Sequence, residues 1–289
     1  MSLEEFIGAA KEGDIEALRD FCETQAHDSL RQFFGRFDEQ KQPLVLAARG
    51  GQLDVVKFLV SVGDDPSCQG TVDFDGETIH GAPPLWAAAA AGFMDIVKYL
   101  VEEAKVDINQ TTHTNSTPLR GACYDGHIEI VKYLIENGAN FEIANRHGHT
   151  PLMIASYRKK KDVVEYLLSK GANPLAASRK GNTALHDAAE ASAEDICELL
   201  LQAGAKLATD EIGVCPLISA ALLGHEEVVN VLLPHCDSRR RRRDAVKLLG
   251  ATFIDKRSDS AKALQAWALA LSIDLGDEEE AEVRTGTKD

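Results

Sequence analysis

Asp73, Phe74, Asp75 and Glu77 place three carboxylates and one aromatic ring within five residues of the segment SCQGTVDFDGETIHGAPPLW. This combination suits a guanidinium, which can fork onto the acids while its plane stacks on the ring. A partly desolvated, charge-assisted contact of this kind gives roughly 1.5–3 kcal/mol, whereas an exposed ion pair gives roughly 0–1. Two acids and an aromatic are therefore enough to anchor a short peptide. A solvated acidic loop is the plain alternative, because loops absorb extra length cheaply. No catalytic constellation accompanies these acids: the chain has no G-x-S-x-G, no H-E-x-x-H, no P-loop and no G-x-G-x-x-G set between a strand and a helix. Neither an enzyme nor a cofactor is expected.

The elements that must position these residues repeat along the chain. The segment TPLRGACYDGHIEIVKYLIENGAN from Thr117 is answered by TPLMIASYRKKKDVVEYLLSKGAN from Thr150. The corresponding dipeptides Pro43-Leu44, Pro84-Leu85, Pro118-Leu119, Pro151-Leu152, Ala184-Leu185 and Pro216-Leu217 are spaced 41, 34, 33, 33 and 32 residues apart. A period of 33 with a T-P-L-H-x-A core resembles the ankyrin repeat. Pro at the first helical turn sacrifices no hydrogen bond, and the preceding Thr can cap the helix. Alanine pairs such as 47–48, 88–89 and 188–189 keep the first helix thin. Pairs such as Val55-Val56 with Leu59 and Ile130-Val131 with Leu134 make the second helix the stacking core. An atypical, more polar copy at 3–23 brings the total to about seven repeats. The expected fold is an all-α ankyrin-repeat solenoid with a C-terminal helical cap.

Register turns the period into a candidate site. The spacing of 41 comes from an enlarged finger at 68–82, which carries the acidic cluster. The two residues after each alanine pair, with the finger tips, should form the concave wall. That places Ala90-Ala91, Tyr124-Asp125, Tyr157-Arg158, Glu190-Ala191 and Leu222-Leu223 in one series, with Ser116, His149 and Asn182 on successive fingers. The expected pocket has acidic walls, an alanine floor, and Phe74, Tyr124, Tyr157 or Trp86 as stacking faces. Two roles suit Trp86, groove lining or packing between repeats. Arg120 fills the equivalent slot one repeat later, where it can pair with a pocket acid or reach a ligand carboxylate.

Charge and composition exclude several other classes. The net charge is −15 and the pI is about 5.0, which favours basic partners and disfavours a nucleic-acid backbone. The N-terminus is acidic and lacks a signal-peptide pattern, and no apolar run approaches the roughly 18 residues of a membrane helix. The six cysteines are scattered and read as reduced thiols, so the expected setting is cytoplasmic, with nuclear entry open. His127, His186 and His225 occupy repeat positions where local hydrogen bonding explains them, and no metal site is expected. The run Arg239–Arg243 matches nuclear-import or nucleic-acid patches, but a solvated or internally paired helix face is the preferred reading. The expected division is 1–236 for the repeats, 237–276 for a helical cap or the start of a further helical-repeat module, and 277–289 for an acidic disordered tail.

At VDFDGETIHGAPPLWAAAAAG, TNSTPLRGACYDGHIEIVKYL, NRHGHTPLMIASY, GNTALHDAAE and DAVKLLGATFIDKR the chain resembles the feminization-1 family of ankyrin proteins. The resemblance implies a substrate receptor of a cullin-2 RING ubiquitin ligase whose ankyrin stack reads C-terminal degrons, notably ends carrying arginine. It also implies that Asp75 and Asp125 are acidic degron contacts and that Phe74, Ser116 and Tyr157 line the same groove. With Glu77, Trp86, Arg120, Tyr124, His149, Asn182 and Glu190 these form the expected peptide-binding set. In the expected mechanism a tail lies in the groove, its arginine enters between Asp75 and Asp125, and nearby polar or basic groups meet the terminal carboxylate. Family members continue past residue 289 with the regions that bind elongins and cullin-2, so this chain is expected to bind substrate without recruiting the ligase. A scaffold that clasps a folded partner is the alternative.

Overall fold

Each repeat begins where the sequence leaves a helix N-terminus to be capped. Thr117 Oγ accepts from the Arg120 amide at 3.2 Å and Thr150 Oγ from the Met153 amide at 3.3 Å, with Pro118 and Pro151 at the first helical positions. The structure, a computed structural model, describes residues 1–25, 27–38 and 41–236. Among them run seven helix pairs. They are α1 (Leu3–Glu12) with α2 (Ile15–Glu23), α4 (Pro43–Gly50) with α5 (Leu53–Ser61), α6 (Pro84–Ala91) with α7 (Met94–Lys98), and α8 (Pro118–Asp125) with α9 (Ile128–Glu136). Next come α10 (Pro151–Tyr157) with α11 (Lys161–Ser169), α12 (Ala184–Glu190) with α13 (Glu194–Gln202), and α14 (Pro216–Leu223) with α15 (Glu226–Leu232). An additional helix, α3 (His27–Phe34), follows the first pair. The expected cap at 237–276, the arginine run and the acidic tail lie outside the described residues.

The helices divide into two compact units, residues 1–184 and the part from Leu185 onward. In the first unit the thin first helices bury their alanines, Ala87 to Ala90 among them, and the second helices bury Val55, Val56, Leu59, Ile130, Val131, Leu134, Val163, Val164 and Leu167. The N-terminal repeat is sealed differently: Phe6 packs edge-on against Phe21, Phe33 and Phe34 at centroid distances of 5.0–6.1 Å. The second unit repeats the pattern with Leu185, Ile196, Leu200, Leu217, Val228 and Leu232 buried. Its His225 ring meets the Ala189 carbonyl at 3.0 Å and its His186 ring the Val214 carbonyl at 3.3 Å. A carbonyl can only accept, so the bonded nitrogen is protonated in each case.

The long finger is a β-hairpin. Strands β1 (Gly70–Phe74) and β2 (Glu77–Ala82) pair antiparallel, with Val72 opposite Ile79 and Phe74 opposite Glu77. The two loop residues, Asp75 at φ +50° and Gly76 at φ +79°, both take the left-handed conformation of the turn whose twist matches paired strands. Alternation along β1 buries Val72 and Phe74 and leaves Asp73 exposed. Backbone bonds stitch successive fingers together, from the His113 amide to the His80 carbonyl (3.0 Å), Arg146 to Thr114 (2.8 Å) and Arg179 to His147 (3.0 Å). The hairpin is thus held in register with the fingers that follow it.

Candidate functional site

Three aromatic side chains from three elements meet beside the hairpin. The Phe74 ring packs edge-on against Trp86 of α6 at 5.5 Å and against Tyr124 of α8 at 5.3 Å. Helix α8 comes this close because Gly121 faces Ala90 and Trp86; a Cβ there would stand 3.1 Å from the Ala90 methyl. Trp86 is buried and donates its indole N–H to Ser116 Oγ at 3.1 Å, and Ser116 Oγ also accepts from the Arg120 guanidinium at 3.4 Å. Trp86 therefore packs between repeats while its edge lines the cavity.

That cavity, about 310 Å³, lies between the hairpin and the two following fingers, and its size is at the lower end of ligand pockets. Its lining combines the apolar rings of Phe74, Trp86 and Tyr124, the acids Asp75 and Glu77, the cations Arg120 and Arg146, and His147. A ligand carrying both charge signs suits such a lining better than a simple cation does. His147 Nε2 lies 3.1 Å from Arg146 Nε, where the ring nitrogen can only accept. His149 is half-buried and its imidazole is held below the usual range, first by burial and then by the Arg120 charge, so it tends to the neutral form.

The acidic part of the lining is organised by Tyr124 and Arg158. The Tyr124 hydroxyl donates to Asp75 Oδ2 at 2.5 Å. Burial, then this bond, pushes the phenol up to about 12, so it remains the donor at neutral pH. The Arg158 guanidinium carbon lies 4.0 Å from the centre of the Tyr124 ring. Its Nη1 is 3.4 Å from Asp75 Oδ2 and its Nη2 is 4.0 Å from Asp125 Oδ1. A second guanidinium, that of Arg49, faces the Phe74 ring at 5.5 Å.

Of the residues expected in the site, Phe74, Asp75, Glu77, Trp86, Ser116, Arg120 and Tyr124 line the one cavity. Asp125 joins through Arg158, and Tyr157, the chain neighbour of Arg158, is exposed. Phe74 turns inward, because alternation places it on the buried face of β1. One expectation is corrected: Ala90 is no open floor, since the close approach of α8 buries it. Asn182 is not among the cavity-lining residues; its amide donates to Ser178 Oγ at 3.2 Å within its own finger. Glu190 ends α12 in the second unit and is exposed. Sequence reasoning placed Arg158 on the groove wall without assigning it a partner. Its signal was its register, one repeat beyond Asp125 at the equivalent position. Among the described residues no three His, Cys, Asp or Glu side chains gather as metal ligands, and no helix is long and apolar enough to cross a membrane.

Comparison with known proteins supports the repeat and narrows the kinship. A family model described as ankyrin repeats (3 copies) matches residues 6–112, 85–178 and 175–244. The chain is 55% identical over 269 residues to the sex-determining protein fem-1 of Caenorhabditis elegans, across 92% of this chain and 41% of that protein. It is 54% identical over 237 residues to a fem-1 homolog of Drosophila melanogaster, across 79% of this chain and 35% of that one. A mouse protein fem-1 homolog A-A is 39% identical over 305 residues, across 92% and 46% respectively. The chain spans less than half the length of these relatives.

Proposed function

The chain belongs to the fem-1 family of ankyrin-repeat proteins, and from that premise we propose that its first unit reads C-terminal tails of partner proteins, binding an arginine in the acidic and aromatic pocket. As an ankyrin-repeat protein it is an interaction module with protein partners, and its kinship points away from an enzyme. The observation that carries the finer reading is the two-signed cavity. Asp75 and Glu77 on its lining suit a guanidinium, while Arg120 and Arg146 on the same lining suit a carboxylate. A C-terminal arginine residue carries both groups. An internal arginine carries only the first, and a plain anion only the second. In this mechanism the side chain stacks on Tyr124 between Asp75 and Asp125, and Arg120 and Arg146 orient the chain end. Ser116 and Trp86, joined by the indole N–H bond, hold the floor.

In the wider role we propose, the module is the degron-reading part of a cullin-2 ubiquitin ligase receptor acting in the cytoplasm and nucleus. The pocket chemistry and the fem-1 kinship support this role. Titration with a short peptide ending in Arg, its C-terminally amidated form, and the Asp75→Ala and Asp125→Ala variants tests the reading. The expected result is binding near the micromolar range, about −8 kcal/mol, lost on amidation and in both variants. Undiminished binding of the amidated peptide by both variants would sink it.

A second reading has its own observation. In the second unit Ile212 is 84% exposed at a finger tip, and Leu222 and Leu223 are about half exposed on α14. Apolar side chains of that size suit a folded partner with a broad footprint rather than a peptide end. Binding of a folded partner that Leu222→Asp abolishes and Asp75→Ala leaves intact would favour this reading.

A further inference from the structure

The slot assigned to the ligand's arginine is filled in the free protein. Arg158 stacks on Tyr124 at 4.0 Å and lies 3.4 Å from Asp75 and 4.0 Å from Asp125. These are the three groups proposed to hold an incoming guanidinium. We infer that Arg158 is an internal competitor for this site, a self-ligand that an arginine-bearing tail must displace, and that it thereby sets the selectivity for guanidinium over other cations. The inference rests on the peptide-reading function proposed above and concerns the regulation of that same site.

Three features make Arg158 displaceable rather than structural. Its backbone is fixed at the end of α10, the amide donating to the Ile154 carbonyl at 3.0 Å, while its long side chain reaches across to α8 and the hairpin and stays 32% exposed. Its contacts lie at ion-pair distances, beyond the roughly 2.7–2.9 Å of a tight charge-assisted bond, so its hold on the acids is loose. Finally, the core of its own helix does not need it, because Leu152, Met153 and Ala155 are buried without it.

Competition of this kind sharpens recognition. The acids already have a cation, so a ligand gains only what it adds beyond Arg158. Another guanidinium can reproduce the fork and the stack while its terminal carboxylate meets Arg120 and Arg146. A lysine ammonium, a point charge without a planar face, replaces the self-ligand poorly. A neutral side chain would leave Asp75 and Asp125 less well paired than before, a penalty built into the free state. The series of equivalent positions fits this arrangement, with Ala91 and Asp125 ending successive first helices and Arg158 capping the next. The acid and its internal partner are thus set one repeat apart.

The test uses the full chain with Arg158→Gln, and with Lys180→Gln as a control that removes the same charge from an exposed finger. Peptides that differ only in a terminal Arg, Lys or Gln are titrated against each by calorimetry. The expected result is that Arg158→Gln binds the Arg peptide about threefold to tenfold tighter, that its preference for Arg over Lys narrows, and that Lys180→Gln behaves as wild type. Tight binding by Arg158→Gln alone would mark a slot fully closed in the wild type, which also supports the inference. Weaker binding would make Arg158 a ligand contact and overturn it. An unchanged affinity, or an equal gain in Lys180→Gln, would also overturn it while leaving the peptide-reading function standing. No binding by any protein would remove that function and this inference together.

Discussion

Asp64 shows how much one residue can cost inside a repeat. In four repeats the same backbone bond closes the second helix, from Asp64 to Leu59, Ala139 to Leu134, Ala172 to Leu167 and Ala205 to Leu200, at 2.9–3.0 Å. Three of the four donors are alanine; the fourth is a buried carboxylate. Its Oδ1 accepts from the Asp65 amide at 2.9 Å, its Oδ2 is buried without a hydrogen-bond partner, and burial pushes the group up to about 7. The folded state therefore keeps a proton that the unfolded chain has lost. Stability from this group is fullest below about pH 4, falls as pH rises to about 7, and is level above that. Asp64→Ala restores the residue of the other repeats and removes the slope. The stability advantage of the variant is expected to widen by about 2–3 kcal/mol between pH 5 and pH 8. Urea unfolding of both proteins at the two pH values measures it, and parallel pH dependences would show that Asp64 is ionised in the fold.

At the level of elements, the repeat period prescribes the helix pairs and their turns but not what departs from it. Gly51, Gly92, Gly126 and Gly224 close four first helices in the left-handed conformation. Lys159 takes that place after α10, at φ +56°, and Ser192 after α12, also at φ +56°. The turn survives without glycine at the expense of backbone strain, which for an L-residue costs roughly 1–2 kcal/mol. Lys159→Gly is accordingly expected to raise stability by about 1 kcal/mol, visible as a higher urea midpoint with an unchanged slope; a lower midpoint would mean that the lysine's side-chain contacts outweigh the strain. The spacing of 34 after Pro84 has a similar local cause. One added residue is absorbed as a π-helical turn over Tyr99–Glu103, after which the Val106 amide reaches Leu100 at 3.1 Å. The long finger also carried a legible hairpin signal, Asp75-Gly76 between the alternating Val72 and Phe74 and the strand that follows. Period counting marks that stretch only as extra length. Arg158 was harder to see for a physical reason. Register places its Cα on the groove wall, but the direction of a long, flexible side chain depends on acids from two other elements, and those meet only in the folded stack.

Across the whole molecule, the chain carries a net charge of −15 and the proposed ligand side chain is cationic. The field and the pocket should act on different steps of binding. Long-range attraction raises the rate of encounter and is screened once the Debye length shrinks from about 10 Å at 0.1 M salt to about 3 Å at 1 M. The stack on Tyr124 and the contacts with Asp75 and Asp125 form only after arrival and govern escape. Raising NaCl from 50 to 500 mM should therefore slow association of an Arg-ended peptide about tenfold while changing its dissociation rate by less than about twofold. Stopped-flow fluorescence of a labelled peptide separates the two rates. Displacement of Arg158 adds a discriminating detail, because salt also loosens the internal pair that the ligand must break. Dissociation of the ligand and release of the self-ligand share the same acids, so their screening largely cancels in the equilibrium and leaves the encounter rate as the main salt-sensitive quantity. A salt effect confined to dissociation would place recognition in the local pairs alone and assign the acidic surface no part in drawing the ligand in.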